Sequence, residues 1–179
     1  MGASGGSLII WKISSFNGKC VFQNSYAVSI EFSSLYNGAT WLLANIYAPC
    51  TPSGKRDFLR WFNHIQMPAY VDWLLVGDFN LYRNPEDRNK PGADYSEMLP
   101  FNEAISKLGL VELPLKGKRY TWSNKQLCPL LERLDWFFTS CWTLTYPHSC
   151  VTTMSMETSN HTPCLVSINK VIPKSKTLF

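Results

Sequence analysis

The sequence predicts an α/β fold in which mixed β-sheets are flanked by helices. Segments rich in β-branched and aromatic residues alternate with helical segments in the first half of the chain, and the second half is rich in strand segments. The length of 179 residues and the hydrophobic content of 45% suit one globular domain with a substantial core. We assign that domain to residues 1–169 and expect residues 170–179 to form a basic, frayed tail.

The first half of the chain contains four predicted strands and one predicted helix. The strands cover residues 7–11, 26–32, 41–48 and 73–79, and the second of them alternates polar and apolar residues. The run PCTPSGK, which is rich in helix and strand breakers, follows the third strand. A helix is predicted after it, because apolar residues recur there at helical spacing at Phe58, Leu59, Phe62 and Ile65.

The second half begins with a long polar loop and a second predicted helix. The apolar face of this helix includes Met98, Phe101, Ile105 and Leu108. Gly109 is expected to end the helix, because glycine readily adopts the left-handed conformation found just after a helix C-terminus. Four strands follow, predicted at residues 119–123, 133–138, 149–154 and 163–168.

Charge and cysteine pattern limit the classes of protein. The net charge of +4 is a weak indication of an anionic partner. The six cysteines contain no C-x-x-C pair, which favours free thiols in a reducing compartment over a zinc site or a disulfide framework. The sequence has no recognisable signal peptide and no apolar run of membrane-spanning length. These features predict a protein inside the cell, nuclear or cytoplasmic, that is neither secreted nor membrane-bound.

Three strand edges carry small polar residues in an apolar setting. Asp78 and Asn80 follow the apolar run WLLVG, and alternate residues of a strand project to the same side. Asp135 interrupts the apolar strand LDWFF, and the pair Asn160 and His161 precedes the last strand. Each alone is typical of a turn or a cap. Together they form the set that phosphodiester hydrolysis needs, with a carboxylate to orient water, an imidazole near the phosphate and hydrogen-bond donors for the developing charge.

Longer motifs at these positions resemble the endonuclease/exonuclease/phosphatase superfamily. GDFN, RLDWFF and SNHTP stand in the order that is typical of that superfamily. The segments NIYAP, GDFNLYRNPEDRNKPG, FNEAISKLGLVELPLKGKRYTWSN and LLERLDWFFTS are more similar still to the endonuclease domains of plant non-LTR (LINE-type) retrotransposons. The resemblance covers nearly the whole chain. It implies a pair of packed mixed β-sheets flanked by helices, and a Mg²⁺-dependent hydrolase that cuts DNA.

The resemblance also implies a role for each site residue. Asp78 is expected to orient the attacking water, Asn80 to hold the scissile phosphate, and Tyr47 in NIYAP to donate a hydrogen bond to a phosphate oxygen. Asp135 is expected to pair with His161, which would hold the imidazole in place and favour its charged form beside a phosphate.

Two departures from the family pattern predict low activity. The catalytic histidine of the family follows an aspartate at the metal side of the site, whereas this chain has Asn160, and an amide brings no negative charge to Mg²⁺. Family members also begin with a strand that carries an asparagine and a strand that carries the Mg²⁺-binding glutamate, and MGASGG matches the segment after both. Glu31 is a poor substitute by position. We therefore expect a truncated domain without its first strands that binds Mg²⁺ poorly, and an endonuclease, or a pseudoenzyme, of weak or no activity.

A basic and aromatic segment offers a second site. Basic residues attract phosphates and aromatic rings stack on bases, although a solvated hairpin has the same composition. The residues predicted to contact DNA are Lys116, Lys118, Arg119, Trp122, Lys125 and Arg133. A non-catalytic nucleic-acid-binding module that uses this surface is one alternative function. A superfamily phosphatase that acts on a phospholipid or an inositol phosphate is another, and the retrotransposon-like segments argue against it.

Overall fold

The strands form one large sheet and two small sheets in the computed structural model, which describes residues 6–68, 71–140, 146–155 and 158–168. The strands of the large sheet are β1 (Phe16–Gln23), β2 (Ala27–Ser34), β3 (Thr40–Tyr47), β4 (Asp72–Asp78), β5 (Val111–Glu112) and β9 (Asp135–Thr139). Their order across the sheet is β1-β2-β3-β4-β9-β5. The sheet is mixed, because β3 and β4 run parallel and the other neighbours run antiparallel.

Two helices, α1 (Pro52–Phe62) and α2 (Met98–Lys107), cover one face of the large sheet. Their core residues Phe58, Phe62 and Phe101 surround the ring of Phe79, which follows β4 and is fully buried. Burial of an aromatic ring of this size is among the largest hydrophobic contributions that one residue makes. The buried ring therefore fixes the backbone at the end of β4, where the candidate site begins.

A small sheet covers part of the opposite face. It contains β6 (Leu115–Lys116), β10 (Cys150–Thr153) and β11 (Cys164–Ser167), in the order β11-β10-β6. Leu74 of β4, Phe137 of β9 and Val151 of β10 form a second core between the two sheets. The remaining two strands, β7 (Trp122–Ser123) and β8 (Leu131–Glu132), pair with each other. Two main mixed sheets with flanking helices confirm the predicted fold class.

One predicted strand is wrong, and four observed strands were not predicted: β1 and the two-residue strands β5, β6 and β8. Residues 7–11 have no regular structure, and Leu8 and Ile10 are 75% and 81% exposed. Trp11 instead packs edge-on against Phe32, with the ring centroids 5.6 Å apart. The first strand is β1, whose sequence FNGKCVFQ contains glycine, lysine and asparagine and therefore has low β-propensity. It forms because β2 pairs with all of its residues except Val21, where the register shifts.

The ends of both helices follow local backbone chemistry. The Thr51 side chain accepts a hydrogen bond from the Gly54 N–H at 3.3 Å, and Pro52 occupies the first helical position, where its missing N–H costs nothing. The breaker-rich run before the predicted helix is therefore the start of α1. At the other helix, Gly109 has a φ of 63° and follows the last turn of α2, as predicted.

Other sequence predictions concern membranes, cysteines and the C-terminus. The part of the chain that the structure describes contains no helix that is long and apolar enough to cross a membrane. Its five cysteines are free thiols. The predicted tail, 170–179, lies outside the described residues, and the assignment of residues 1–169 to one domain stays a prediction.

Candidate active site

Three neighbouring strands bring their ends to one edge of the large sheet. Tyr47 at the end of β3 pairs with Asp78 of the parallel strand β4, and Asp78 pairs with Asp135 of the antiparallel strand β9. His161 comes from the loop before β11, where it forms an isolated bridge with Trp122 of β7. Tyr47, Asp78, Asp135 and His161 line one open cleft at this edge. The structure thus brings four of the predicted site residues together.

Asn80 lies behind Asp78 and does not line the cleft. Its φ of 49° is left-handed, a conformation that asparagine adopts more readily than most residues. The backbone N–H of Asn80 donates to Oδ1 of Asp78 at 2.9 Å, and its side-chain amide donates to Oδ2 of Asp78 at 3.1 Å and to the Ala48 carbonyl at 2.7 Å. Because the amide donors are engaged within the protein, Asn80 holds the Asp78 carboxylate in a fixed orientation.

The imidazole of His161 lies between two carboxylates. Its Nδ1 is 3.0 Å from Oδ2 of Asp135, and its Nε2 is 3.7 Å from Oδ2 of Asp78. Both nitrogens of a protonated imidazole carry donors, so this position suits the charged form of the ring. The histidine side chain is 34% exposed, whereas Asp78 and Asp135 are 13% and 16% exposed. The cleft therefore presents a histidine supported by two largely buried acids.

These groups shift the pKa values of one another. The hydrogen bond that His161 donates to the Asp135 carboxylate raises the pKa of His161 above its usual value, and the charges of both carboxylates add to this effect against the cost of burial. Burial raises the pKa of Asp78 to about 6, and repulsion from Asp135 acts in the same direction, while the donors of Asn80 and the charge of His161 lower it. Near neutral pH, Asp78 is thus a carboxylate close to its pKa, which suits a group that takes a proton from water.

Thr121 supports the site, and no sequence motif predicted this role. The residue is fully buried, and its Oγ1 accepts the N–H groups of Leu134 and Asp135, each at 3.1 Å. Its backbone carbonyl accepts the N–H of Thr162, next to His161, at 2.6 Å. Thr121 therefore ties the strand of Asp135 to the loop of His161. A threonine in the strand-like segment RYTWS looks like an ordinary β-former, so the sequence contains no signal for this role.

Gly77 and Asn45 shape the cleft beside Asp78. Gly77 has a φ of 130°, and a Cβ at this position would lie 2.1 Å from the carbonyl oxygen of Ile46. Only glycine therefore allows β3 and β4 to approach this closely at the site. Asn45 lines the cleft two residues before Tyr47 on β3. The period of two in a strand would have identified Asn45 from the sequence.

The Mg²⁺ ion that the resemblance implies finds few ligands in the cleft. Among the described residues, Asp78 and Asp135 are the carboxylates that line it; each Asp78 oxygen accepts a hydrogen bond from Asn80, and one Asp135 oxygen faces His161. Asn160 is exposed and does not line the cleft, and its backbone carbonyl accepts the Ser123 N–H at 2.9 Å. Within the described ranges, no group of three or more His, Cys, Asp or Glu side chains is placed to hold a metal ion. These residues do not fit a Mg²⁺ site, which requires several oxygen ligands in near-octahedral geometry.

Four basic residues of the predicted DNA-binding segment are exposed. They are Lys116, Lys118, Arg119 and Lys125. The backbone N–H of Lys118 donates to Oγ1 of Thr153 at 2.8 Å, which attaches this segment to β10. Trp122 is half-buried and its backbone bridges that of His161, so the exposed basic segment leads along the chain to a strand that contacts the loop of the cleft histidine.

Arg133 does not belong to this exposed set, in contrast to the sequence prediction. Its guanidinium bonds the carboxylate of Glu112, which also bonds Arg83, and lies 4.2 Å from the centre of the Trp136 ring. The Arg133 side chain is 16% exposed. Arg133 therefore contacts Glu112 and Trp136 within the fold and does not extend the exposed basic segment.

The comparisons with known proteins give matches among solved structures. No family model matches the chain, and no match was found among curated proteins. The endonuclease domain of TRAS1, a telomere-specific non-LTR retrotransposon, is 14% identical with a TM-score of 0.67, over 90% of this chain and 72% of that domain. An endonuclease/exonuclease/phosphatase family protein from Bacteroides thetaiotaomicron is 13% identical with a TM-score of 0.52, over 88% of this chain and 67% of that one. A functionally unknown conserved protein from Enterococcus faecalis is 15% identical with a TM-score of 0.52, over 79% of this chain and 55% of that one.

The similarity to these structures extends over most of the described chain. It includes the two mixed sheets and the helices, and it agrees with the resemblance that the motifs predicted. At these levels of identity, the shared property is the fold. The chain has the fold of the endonuclease/exonuclease/phosphatase superfamily.

Proposed function

We propose that the chain is a DNA endonuclease domain of a plant LINE-type retrotransposon, a phosphodiester hydrolase of low activity. The position of the His161 ring between Asp135 and Asp78, in an open cleft at the strand ends, carries this proposal. The retrotransposon-like segments of the sequence and the exposed basic segment support DNA as the substrate over other phosphoesters. A protein that cuts DNA would work inside the cell, in the nucleus or the cytoplasm.

Asp78 is the group that would orient and deprotonate the attacking water. With a pKa of about 6 it is mainly ionised at neutral pH, and it can accept a proton as the water oxygen bonds to phosphorus. The bond from phosphorus to the leaving oxygen then breaks, its electron pair goes to that oxygen, and the resulting alkoxide takes a proton from solvent. Asn80 keeps both Asp78 oxygens in place, so we assign it a positioning role rather than the phosphate contact that the resemblance implies.

His161 and Tyr47 would stabilise the negative charge that develops on the phosphate. Asp135 raises the pKa of His161 and anchors Nδ1, so that Nε2–H remains as a donor at the cleft. Tyr47 is 42% exposed in the same cleft, where its hydroxyl can donate to a phosphate oxygen. Fixed donors aimed at developing charge are a major source of rate enhancement in enzymes.

We propose that these residues bind Mg²⁺ only weakly. A bound metal supplies several kcal/mol of charge stabilisation in phosphoryl chemistry. Two observations support this proposal: Asp78 and Asp135 are the carboxylates among the described residues that line the cleft, and position 160 carries an amide in place of a carboxylate. The remaining groups act without this contribution, and we therefore expect a low rate.

Nicking of supercoiled plasmid in Mg²⁺ tests the catalytic proposal. We expect slow nicking by the parent chain and none above background by Asp78→Ala or His161→Ala. A parent rate no higher than that of the two variants would overturn the proposal. Rapid nicking for which a low Mg²⁺ concentration is sufficient would instead contradict the proposal that the site binds Mg²⁺ weakly.

A non-catalytic DNA-binding module is the second candidate, and the exposed basic segment favours it. Lys116, Lys118, Arg119 and Lys125 can contact phosphates whether or not the cleft is active. Fluorescence anisotropy on a short duplex would compare the parent with Lys118→Glu/Arg119→Glu. The variant Arg56→Glu/Lys107→Glu, on the helical face, is the control with the same change in charge. We expect only the first variant to bind DNA more weakly than the parent. Its plot of log affinity against log salt concentration should also be less steep, by about 0.9 for each phosphate that the variant no longer neutralises. Equal affinity of the two variants would remove the segment from the DNA-binding surface.

A further inference from the structure

Two depressions adjoin on either side of Tyr47. The first is the catalytic cleft, and the second is formed by the turn between β1 and β2. They share Gly6, Ser7 and Tyr47, so they form one groove across the edge of the sheet. We call the second depression the turn pocket; its residues are Gly6, Ser7, Gln23, Asn24, Ser25, Tyr26, Ala27, Val28 and Tyr47.

The groove is electrostatically asymmetric. On one side of the cleft, Trp122 pairs with His161 and leads to the exposed basic segment that contains Lys118 and Arg119. The turn pocket on the other side of Tyr47 contains no charged side chain among its described residues. Phosphate contacts position a protein on DNA, whereas contacts with base edges carry sequence information. The basic side therefore suits the backbone of a DNA strand, and the uncharged side suits a base.

The turn pocket is held in a defined shape. The side-chain oxygen of Asn24 accepts the N–H groups of Tyr26 and Ala27 at 2.8 and 2.9 Å, and the Asn24 N–H donates to the Ala27 carbonyl at 3.0 Å. The Tyr26 ring packs against Phe58, and the Tyr26 carbonyl accepts the Tyr47 N–H at 2.9 Å. The pocket is thus connected to both the helical core and the catalytic strand, which pre-organises it for a ligand.

The side chains of the turn pocket that do not hold its shape match the edge and the face of a nucleobase. Gln23 and Ser25 are exposed, and their side chains have no hydrogen-bond partner among the residues that the structure describes. An amide offers both donors and an acceptor, and a hydroxyl can act as either. The exposed ring of Tyr47 at the boundary offers a stacking surface.

We infer that the turn pocket is a base-binding subsite for a nucleotide next to the phosphate in the catalytic cleft. The inference rests on the proposed endonuclease function, since the cleft must hold a DNA phosphate for a neighbouring base to reach the pocket. Gln23 and Ser25 read the base edge, while Asn24 shapes the turn. The chain accordingly has a base preference at one position beside the nick, in addition to sequence-independent backbone binding.

Mapping of nick positions tests this subsite. A plasmid library with a randomised segment is nicked by the parent and by Gln23→Ala/Ser25→Ala, and the bases on both sides of each nick are read by sequencing. Gln66→Ala/Ser106→Ala makes the same chemical changes at residues that do not line the groove. We expect the parent and the control to prefer one base about fivefold or more at one flanking position. The turn-pocket variant should lose this preference and keep the parent's duplex affinity and salt dependence in anisotropy.

The outcomes separate the subsite from the function on which it rests. Nicks with an even base distribution in the parent, or a preference that the turn-pocket variant retains, would overturn the subsite alone. No nicking by the parent above Asp78→Ala would overturn the proposed function and the subsite with it. Unchanged thermal unfolding of the variants would show that their effects arise in the groove and not from loss of the fold.

Discussion

Nδ1 of His161 lies 3.0 Å from Oδ2 of Asp135, and the backbone N–H of the same aspartate donates to Oγ1 of the buried Thr121. The aspartate is therefore fixed at its backbone by one segment and fixes the histidine of another with its side chain. Asp135 also faces Asp78 across the strand pair. One residue thus controls the orientation of His161 and the charge around Asp78.

Asp135→Asn should lower the pKa values of both His161 and Asp78. For His161 the variant removes the charged hydrogen-bond acceptor that is the main cause of its raised pKa. For Asp78 it removes the repulsion that adds to burial in raising its pKa to about 6. NMR titration of the imidazole and carboxyl resonances would measure both values. A rise in either pKa would contradict the arrangement described here.

His161 should make folding stability depend on pH in a defined direction. Because its folded pKa is raised above the unfolded value, its stabilising contribution is complete below the unfolded pKa of about 6.5 and is lost as pH rises through the folded pKa. The difference in unfolding free energy between the parent and His161→Gln should therefore shrink from pH 6 to pH 9. Urea unfolding at each pH would measure it, with His148→Gln, at an exposed position, as the control. If the difference in unfolding free energy between the parent and His161→Gln grew with pH, the pKa of His161 would be lowered by folding and not raised.

The parts of the site that the sequence predicted are those set by strand ends and local motifs. Asp78 follows an apolar run, Asp135 lies within one and His161 precedes one; the sheet register places the two aspartates together, and the bridge to Trp122 brings the loop of His161 beside them. The roles of Asn80 and Arg133 could not be predicted, because each depends on a contact with a distant segment, the Ala48 carbonyl and the Glu112 carboxylate. The strand β1 was missed for the same reason, since pairing with β2 outweighs its poor local propensity.

Thr121→Val should destabilise the fold by about 1–3 kcal/mol, because the buried N–H groups of Leu134 and Asp135 lose their acceptor. Valine has nearly the shape of threonine, so little packing changes. Thr121→Ser keeps the acceptor and should retain more of the stability, although it removes a buried methyl group. Chemical denaturation would rank the three proteins. A Thr121→Val protein as stable as the parent would show that these two hydrogen bonds contribute nothing to stability.

Gly77→Ala should be far more harmful than Gly38→Ala. Both glycines have positive φ values, of 130° and 69°, and both changes therefore cost backbone strain. At Gly77 a Cβ would also lie 2.1 Å from the Ile46 carbonyl oxygen, whereas at Gly38 no atom lies within 4 Å. We expect Gly38→Ala to cost about 1–2 kcal/mol and Gly77→Ala to separate β3 from β4 beside Asp78. Similar thermal midpoints for both variants would show that the strands can move apart at no cost.

The Glu112 carboxylate holds two guanidinium groups, of Arg83 and Arg133, and both groups lie over the ring of Trp136. Glu112→Gln would leave the positive charges of Arg83 and Arg133 close together without the carboxylate between them. The Arg83 and Arg133 side chains are 25% and 16% exposed. Removal of one partner from a buried ion pair costs about 3–5 kcal/mol, and we expect about 2–3 kcal/mol here because the three side chains retain some contact with water.

Asp57→Asn is the matched control, since it breaks the pair with Arg60. The side chains of Asp57 and Arg60 are 54% and 75% exposed. That loss should stay below about 1 kcal/mol. Urea unfolding of both variants in high salt would extend the comparison, because screening should weaken only the exposed pair. Equal losses in the two variants would show that burial does not strengthen the Glu112 network.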